Sequence, residues 1–150
     1  MIGRRLLYCI LLCLLTTTAE AAEGGKVLFG EDVVVRIEVA RTETEKIRGL
    51  SGRERLALGE GMLFVYEEPA RPAMWMRGMR FPLDILWIRN GRVVDLVTGV
   101  VPPLPGEVPR IFSPREEAQY VLEVPAGFVV RYGIALGDPV RIVLEKRRVQ

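Results

Sequence analysis

The chain predicts a mainly β fold of the α+β kind: a small antiparallel, barrel-like domain with one or two short helices. Three observations carry this. Residues 33–40, VVVRIEVA, are rich in β-branched side chains, and Arg36 and Glu38 alternate with Ile37 and Val39. That is the period-two pattern of a half-buried strand. Asn90-Gly91 stands between LDILWIR and RVVDLVTGVV, and both central residues of a type I′ turn need positive φ, so the pair marks a hairpin. About seven or eight such runs follow one another, mostly through hairpin-length links, which favours antiparallel neighbours closed or nearly closed into a barrel.

The elements follow in order. Residues 22–32 are polar and Gly-rich and read as a flexible lead-in or a first short strand. After the 33–40 strand, Thr42 with Glu45 three residues on forms a capping box, so a short helix runs from there to Arg48 and stops at Gly49. Further strands are predicted at 61–68, 72–77 and 83–89, the last entering the hairpin. Pro102, Pro103, Pro105, Pro109 and Pro114 make 102–114 a long, restricted loop. AQYVLEV (118–124) is another strand, 125–132 a single helix ended by Gly133, and GDPVRIVLE a turn and a last strand. No internal repeat or second domain is visible; 33–145 reads as one domain with a short basic tail at 146–150.

The first residues bear on compartment and chemistry. A basic start, MIGRR, leads into the apolar run Leu6 to Leu15 and then Ala19-Glu20-Ala21. This order is that of a secretory signal peptide cleaved after Ala21, because the run is far shorter than the roughly 20 residues a membrane span needs. An uncleaved anchor is the alternative. The expected location is therefore periplasmic or extracellular. Both cysteines, Cys9 and Cys13, would leave with the signal, and the chain contains no histidine. That excludes a Ser–His–Asp triad, a Cys–His dyad and an HExxH zinc site from the mature chain, and with them disulfides. The net charge of +2 gives no reason to expect nucleic acid.

Six segments in sequence resemble one family, the domain of unknown function numbered 192 (DUF192). They are RGLSGRERL (48–56), EGMLFVYEEP (60–69), WMRGMRFPLDILWI (75–88), GRVVD (91–95), SPREEAQYVLEVPAG (113–127) and GIALGD (133–138). The resemblance spans about residues 33–142. It implies a β-rich domain, often behind a signal peptide, and implies no activity. One departure stands out: where the family reads Lys-Asn-Thr after Trp-Met, this chain has Arg77-Gly78-Met79.

The candidate ligand-binding residues are Arg48, Trp75, Met76, Arg77 and Asp84. Asp84 lies in the apolar run FPLDILWI and needs a specific partner, because an unpaired buried carboxylate is very costly; Arg48 is the expected one. Arg48, Arg53, Arg77 and Arg80 sit on two loops that could meet at one barrel end, and arginine captures carboxylate or phosphate bidentately. Met74, Met76 and Met79 have the softness to hold Cu(I) but also suit core filling, and the family often has an aromatic at the Met74 position. Glu123 falls on the polar phase of its strand, exposed or paired; together with Asp84 it could serve as a hydrolase carboxylate pair, if the two lie within roughly 5–9.5 Å. The leading expectation is a monomeric, non-catalytic exported module that binds a small ligand or an envelope protein without a cofactor. A carboxylate-dependent hydrolase, a Met-based copper carrier and a structural accessory are the alternatives.

Overall fold

The computed structural model describes residues 23–145, and the expected signal peptide and basic tail lie outside them. The order is β1 (Gly24–Phe29), β2 (Val33–Ala40), α1 (Glu43–Arg48), β3 (Glu60–Ala70), β4 (Met74–Trp75), β5 (Leu83–Arg89), β6 (Arg92–Val100), β7 (Ile111–Phe112), β8 (Ala118–Pro125), α2 (Phe128–Tyr132) and β9 (Val140–Leu144). Seven strands form one sheet in the order β6-β5-β8-β3-β2-β1-β9, while β4 and β7 pair separately. The sheet curls until its edges meet: Arg92 bridges Pro139, and the Val140 amide donates to the Gly91 carbonyl at 2.7 Å. The result is a half-barrel with its rim joined at one corner.

Local signals behave as their chemistry dictates. Thr42 Oγ1 accepts from the Glu45 amide at 3.2 Å, and Glu45 Oε2 accepts from the Thr42 amide at 2.8 Å, closing the capping box. Asn90 and Gly91 have φ of 51° and 69°, as a type I′ turn requires.

Four expectations need correction. The antiparallel rule fails once, because β2 pairs with β3 in parallel; the connection between them is long and carries α1, which makes it a crossover rather than a hairpin. The lead-in reading of 22–32 gives way to its alternative, since β1 is a ladder partner of both β2 and β9. The strand expected at 72–77 shrinks to Met74–Trp75, and its partner, Ile111–Phe112, lies inside the Pro-rich 102–114 loop. The last helix starts only at Phe128, because Pro125 ends β8 and Gly127 turns the chain at φ 89°.

The centre of the sheet is buried on both faces. One apolar cluster fills the concave side, where Val35, Ile37, Leu86, Leu122 and Val124 meet Phe128 and Val129 of α2. A second cluster covers the other face, where Phe64, Ile85, Trp87 and Val121 meet Leu50, Met74 and Met76. Hence β5 reads LDILWI without alternation: all six residues are buried, as expected of a strand covered on both sides. Gly61 marks how tightly the layers close. A Cβ there would sit 2.7 Å from the Glu123 carbonyl oxygen and 3.1 Å from Val35 Cγ1. Gly61→Ala is expected to lower unfolding free energy by about 1–3 kcal/mol, the usual cost of overpacking, as read by urea denaturation.

Candidate functional site

β8 sits between β5 and β3, and its apolar residues occupy both phases: Leu122 and Val124 on the concave side, Val121 on the other. Glu123 pairs with Ile85 across the β5 ladder and with Met62 across β3. Its side chain therefore joins the Ile85 and Val121 face, beneath the segment that follows α1 and beneath β4. It is only 4% exposed. Among the described residues no hydrogen bond or ion pair reaches its carboxyl group, yet neither oxygen is sealed off from solvent-sized space. Burial pushes its pKa up to about 8, because a low-dielectric surrounding disfavours the ionised form. At neutral pH the group is mostly a neutral carboxylic acid.

Glu123 lines a cavity of about 140 Å³. Phe64 and Tyr66 of β3 and Met74 and Trp75 of β4 wall it, with Leu50 and Met79 from the two flanking loops. Lys46, Ile47 and Arg48 of α1 reach its mouth. Lys46 Nζ lies 3.1 Å from Glu43 Oε1 and 4.3 Å from the centre of the Tyr66 ring, so its charge is already engaged by a carboxylate and a π face. Arg48 makes no ion pair among the described residues. Trp75 and Ile47 are 44% and 65% exposed, which leaves an apolar rim open to solvent. The Tyr66 hydroxyl is pushed up to about 12, chiefly by burial and further by Glu43 and Glu123.

Two loops hold this wall in place. Ser51 Oγ donates to the Arg77 carbonyl at 2.9 Å, and the Gly52 amide donates to the Gly78 carbonyl at 2.9 Å. Gly78 has φ 71°, and a Cβ there would come within 3.3 Å of Ser51. Gly78 thus takes a left-handed conformation close against Ser51, which glycine adopts without strain. The loops meet as the sequence suggests, but their arginines do not form one anion site. Arg53 makes a bidentate pair with Glu38, both contacts at 2.6 Å, and its hydrogen bonds hold Glu38 below the usual carboxylate range. Arg80 pairs with Glu54.

The candidate residues therefore separate. Arg48 and Trp75 line the Glu123 cavity. Met76 is buried against a different cavity of about 300 Å³, under the 97–112 segment. Arg77 is exposed and enters the site only through its carbonyl. Asp84 has no exposed surface, and its partner is not Arg48: Oδ1 accepts from the Gly99 amide at 2.8 Å and Oδ2 from the Val129 amide at 2.9 Å. The Asp84 carboxylate thereby caps α2, whose own N-cap residue, Gly127, has no side chain to do so. Asp84 pairs with Val124 while Glu123 pairs with Ile85, so the two carboxyl groups project from opposite faces of the sheet. Asp84 and Glu123 therefore do not form a carboxylate pair of the hydrolase kind. Met74 and Met79 face one cavity and Met76 the other, which removes the convergence a three-thioether copper site requires.

One candidate changes its surroundings and one residue carries no sequence signal. The sequence places Glu123 on an exposed or paired phase, whereas Val121, an apolar residue on that same phase, marks the face as covered. Asp95 is 6% exposed and ties down the SPREE segment. Its Oδ2 accepts from the Arg115 amide at 2.7 Å and its Oδ1 from Arg115 Nη2 at 2.6 Å, and this pairing holds its carboxyl below the usual range.

The DUF192 family, described as an uncharacterised ACR group, matches residues 26–142. A crystal structure from Sinorhizobium meliloti 1021, described as that of a candidate transcription regulator, superposes with TM-score 0.72 at 30% identity, covering 82% of this chain and 95% of that one. A protein of unknown function from Novosphingobium aromaticivorans gives TM-score 0.68 at 32% identity, covering 83% and 96%. No curated protein matches the chain.

Proposed function

We propose, for a chain that belongs to the DUF192 family, that the domain is an exported, non-catalytic small-ligand-binding module whose site is the Glu123 cavity. The observation behind this reading is a buried carboxyl group that lines an aromatic cavity and has no partner among the described residues. Proteins rarely leave such a group unsatisfied, because its desolvation costs free energy that a hydrogen bond normally offsets. A ligand polar atom completes it. Apolar walls, a few placed polar groups and a half-open aromatic rim are the usual make-up of a small-molecule site. Trp75 and Arg48 form its rim and Glu123 its floor; Met76, Arg77 and Asp84 serve the surrounding structure. Asp84 projects from the opposite face of the sheet and so does not pair with Glu123, which favours binding over hydrolysis by that carboxylate pair.

Native mass spectrometry of the protein purified from its own producing cells tests this. The expected result is a small additional mass that disappears in Glu123→Leu and Trp75→Ala variants of unchanged fold. A mass that survives both substitutions would place the ligand elsewhere and end the proposal.

A further inference from the structure

We infer that the cavity takes a small, flat, uncharged molecule that carries an N–H beside a C=O, a lactam or carboxamide edge, docked on the Glu123 carboxyl group. This rests on the binding reading above and names its ligand class.

The floor decides the polar end. A neutral carboxyl group offers one O–H donor and one C=O acceptor on the same carbon. Glu123 lines the cavity, neither of its oxygens is sealed off, and neither has a partner among the described residues. The group that satisfies both at once has a donor and an acceptor on adjacent atoms, on one edge. A cis-amide edge does so through two parallel hydrogen bonds, with no proton moved and no charge formed.

The walls decide the body. Phe64, Tyr66 and Trp75 present ring surfaces, and Met74 and Met79 present polarisable thioethers, which suit a planar partner. The cavity volume of about 140 Å³ is close to the roughly 150 Å³ that accommodates benzene in an apolar protein cavity. A single ring matches that volume, and a fused ring system exceeds it.

The surrounding charges decide against an ion. The titratable groups facing the cavity are Tyr66 from β3 and Glu43, Lys46 and Arg48 from α1; Ile85 of β5 and the β4 residues bring none. Lys46 is held by Glu43 and Tyr66, and no cation lowers the Glu123 pKa. A ligand anion docked on Glu123 would meet no cation at the floor, since Arg48 stands at the mouth and does not act on that carboxyl group. A ligand cation would have to pass Lys46 and Arg48 and drive ionisation of a buried acid.

Titration calorimetry and ligand-observed NMR with single-ring probes separate these cases. The probes are 2-pyridone, benzamide, benzoate, benzylamine and toluene, at about pH 6.5, where Glu123 is protonated. The expected result is at least about tenfold tighter binding of 2-pyridone and benzamide than of the two ions. Glu123→Gln keeps the amide preference, since glutamine offers the same donor–acceptor pair, and Glu123→Leu loses it while still binding toluene. Raising the pH to about 9.5 weakens the amides about tenfold or more for the parent protein and leaves Glu123→Gln unchanged. Tighter binding of benzoate or benzylamine would overturn the ligand class and leave the cavity as a binding site. Failure of all five probes, toluene included, to perturb the Trp75 indole signal would overturn the binding reading itself.

Discussion

Glu123→Gln is expected to make the protein more stable at alkaline pH, by about 3–5 kcal/mol, and to change little at about pH 4. The sign follows from proton counting. The folded carboxyl group has its pKa pushed up to about 8 by burial, whereas an unfolded glutamate titrates near 4.3. Between those values the folded state holds a proton that the unfolded state has released. The contribution of Glu123 is thus fully present below the unfolded pKa and is lost as pH rises through the folded one. Each unit of difference is worth about 1.4 kcal/mol. Glutamine has the shape of the protonated acid and does not ionise, so it escapes the loss. Urea denaturation of both proteins at intervals from pH 4 to 9 reads the effect. Two curves that run parallel across the range would show that Glu123 ionises normally, and the neutral-acid account of the cavity would go with it.

The second large effect belongs to Asp84. Asp84→Ala is expected to cost about 3–5 kcal/mol, because it strips the Gly99 and Val129 amides of their acceptors inside a site with no access to water. Asp84→Asn is expected to cost about 2–3 kcal/mol. Its carbonyl can serve one amide, but its NH₂ then faces the other donor. Hydrogen exchange at Val129 should quicken in both variants. Arg48→Ala, which removes the partner the sequence suggests, should shift stability by less than about 0.5 kcal/mol, as surface substitutions do. A large loss in Arg48→Ala and a small one in Asp84→Ala would reverse the assignment.

What the sequence made legible were the features written locally. The Thr42–Glu45 capping box and the Asn90-Gly91 turn carry their geometry in two to four adjacent residues. The apolar runs located the longer strands, and six separated segments identified the family. The features set by long-range covering were hidden. Nothing between residues 41 and 59 announces that β2 and β3 run parallel. Asp84 needed a partner, and the reading supplied a charged side chain where the fold supplies two backbone amides, which have no sequence signature. Glu123 looked exposed because one strand cannot show that α1, the loop after it and β4 will fold over its outer face. The cavity arises from that covering: Arg48 and Trp75 line it together with Glu123, a neighbourhood that no single segment spells out.

The pairing of β1 with β9 has a consequence for how the chain reaches its folded state. The first strand of the sheet is an internal strand, flanked by β2 on one side and by the last strand on the other. During synthesis Gly24–Phe29 leaves the ribosome early and then waits for Val140–Leu144, nearly the whole domain later. Such a distant contact carries a large loop-closure cost and comes late in folding. Until then the edge of β1 that faces β9 stays unpaired, so the sheet is completed only once the last strand has been made.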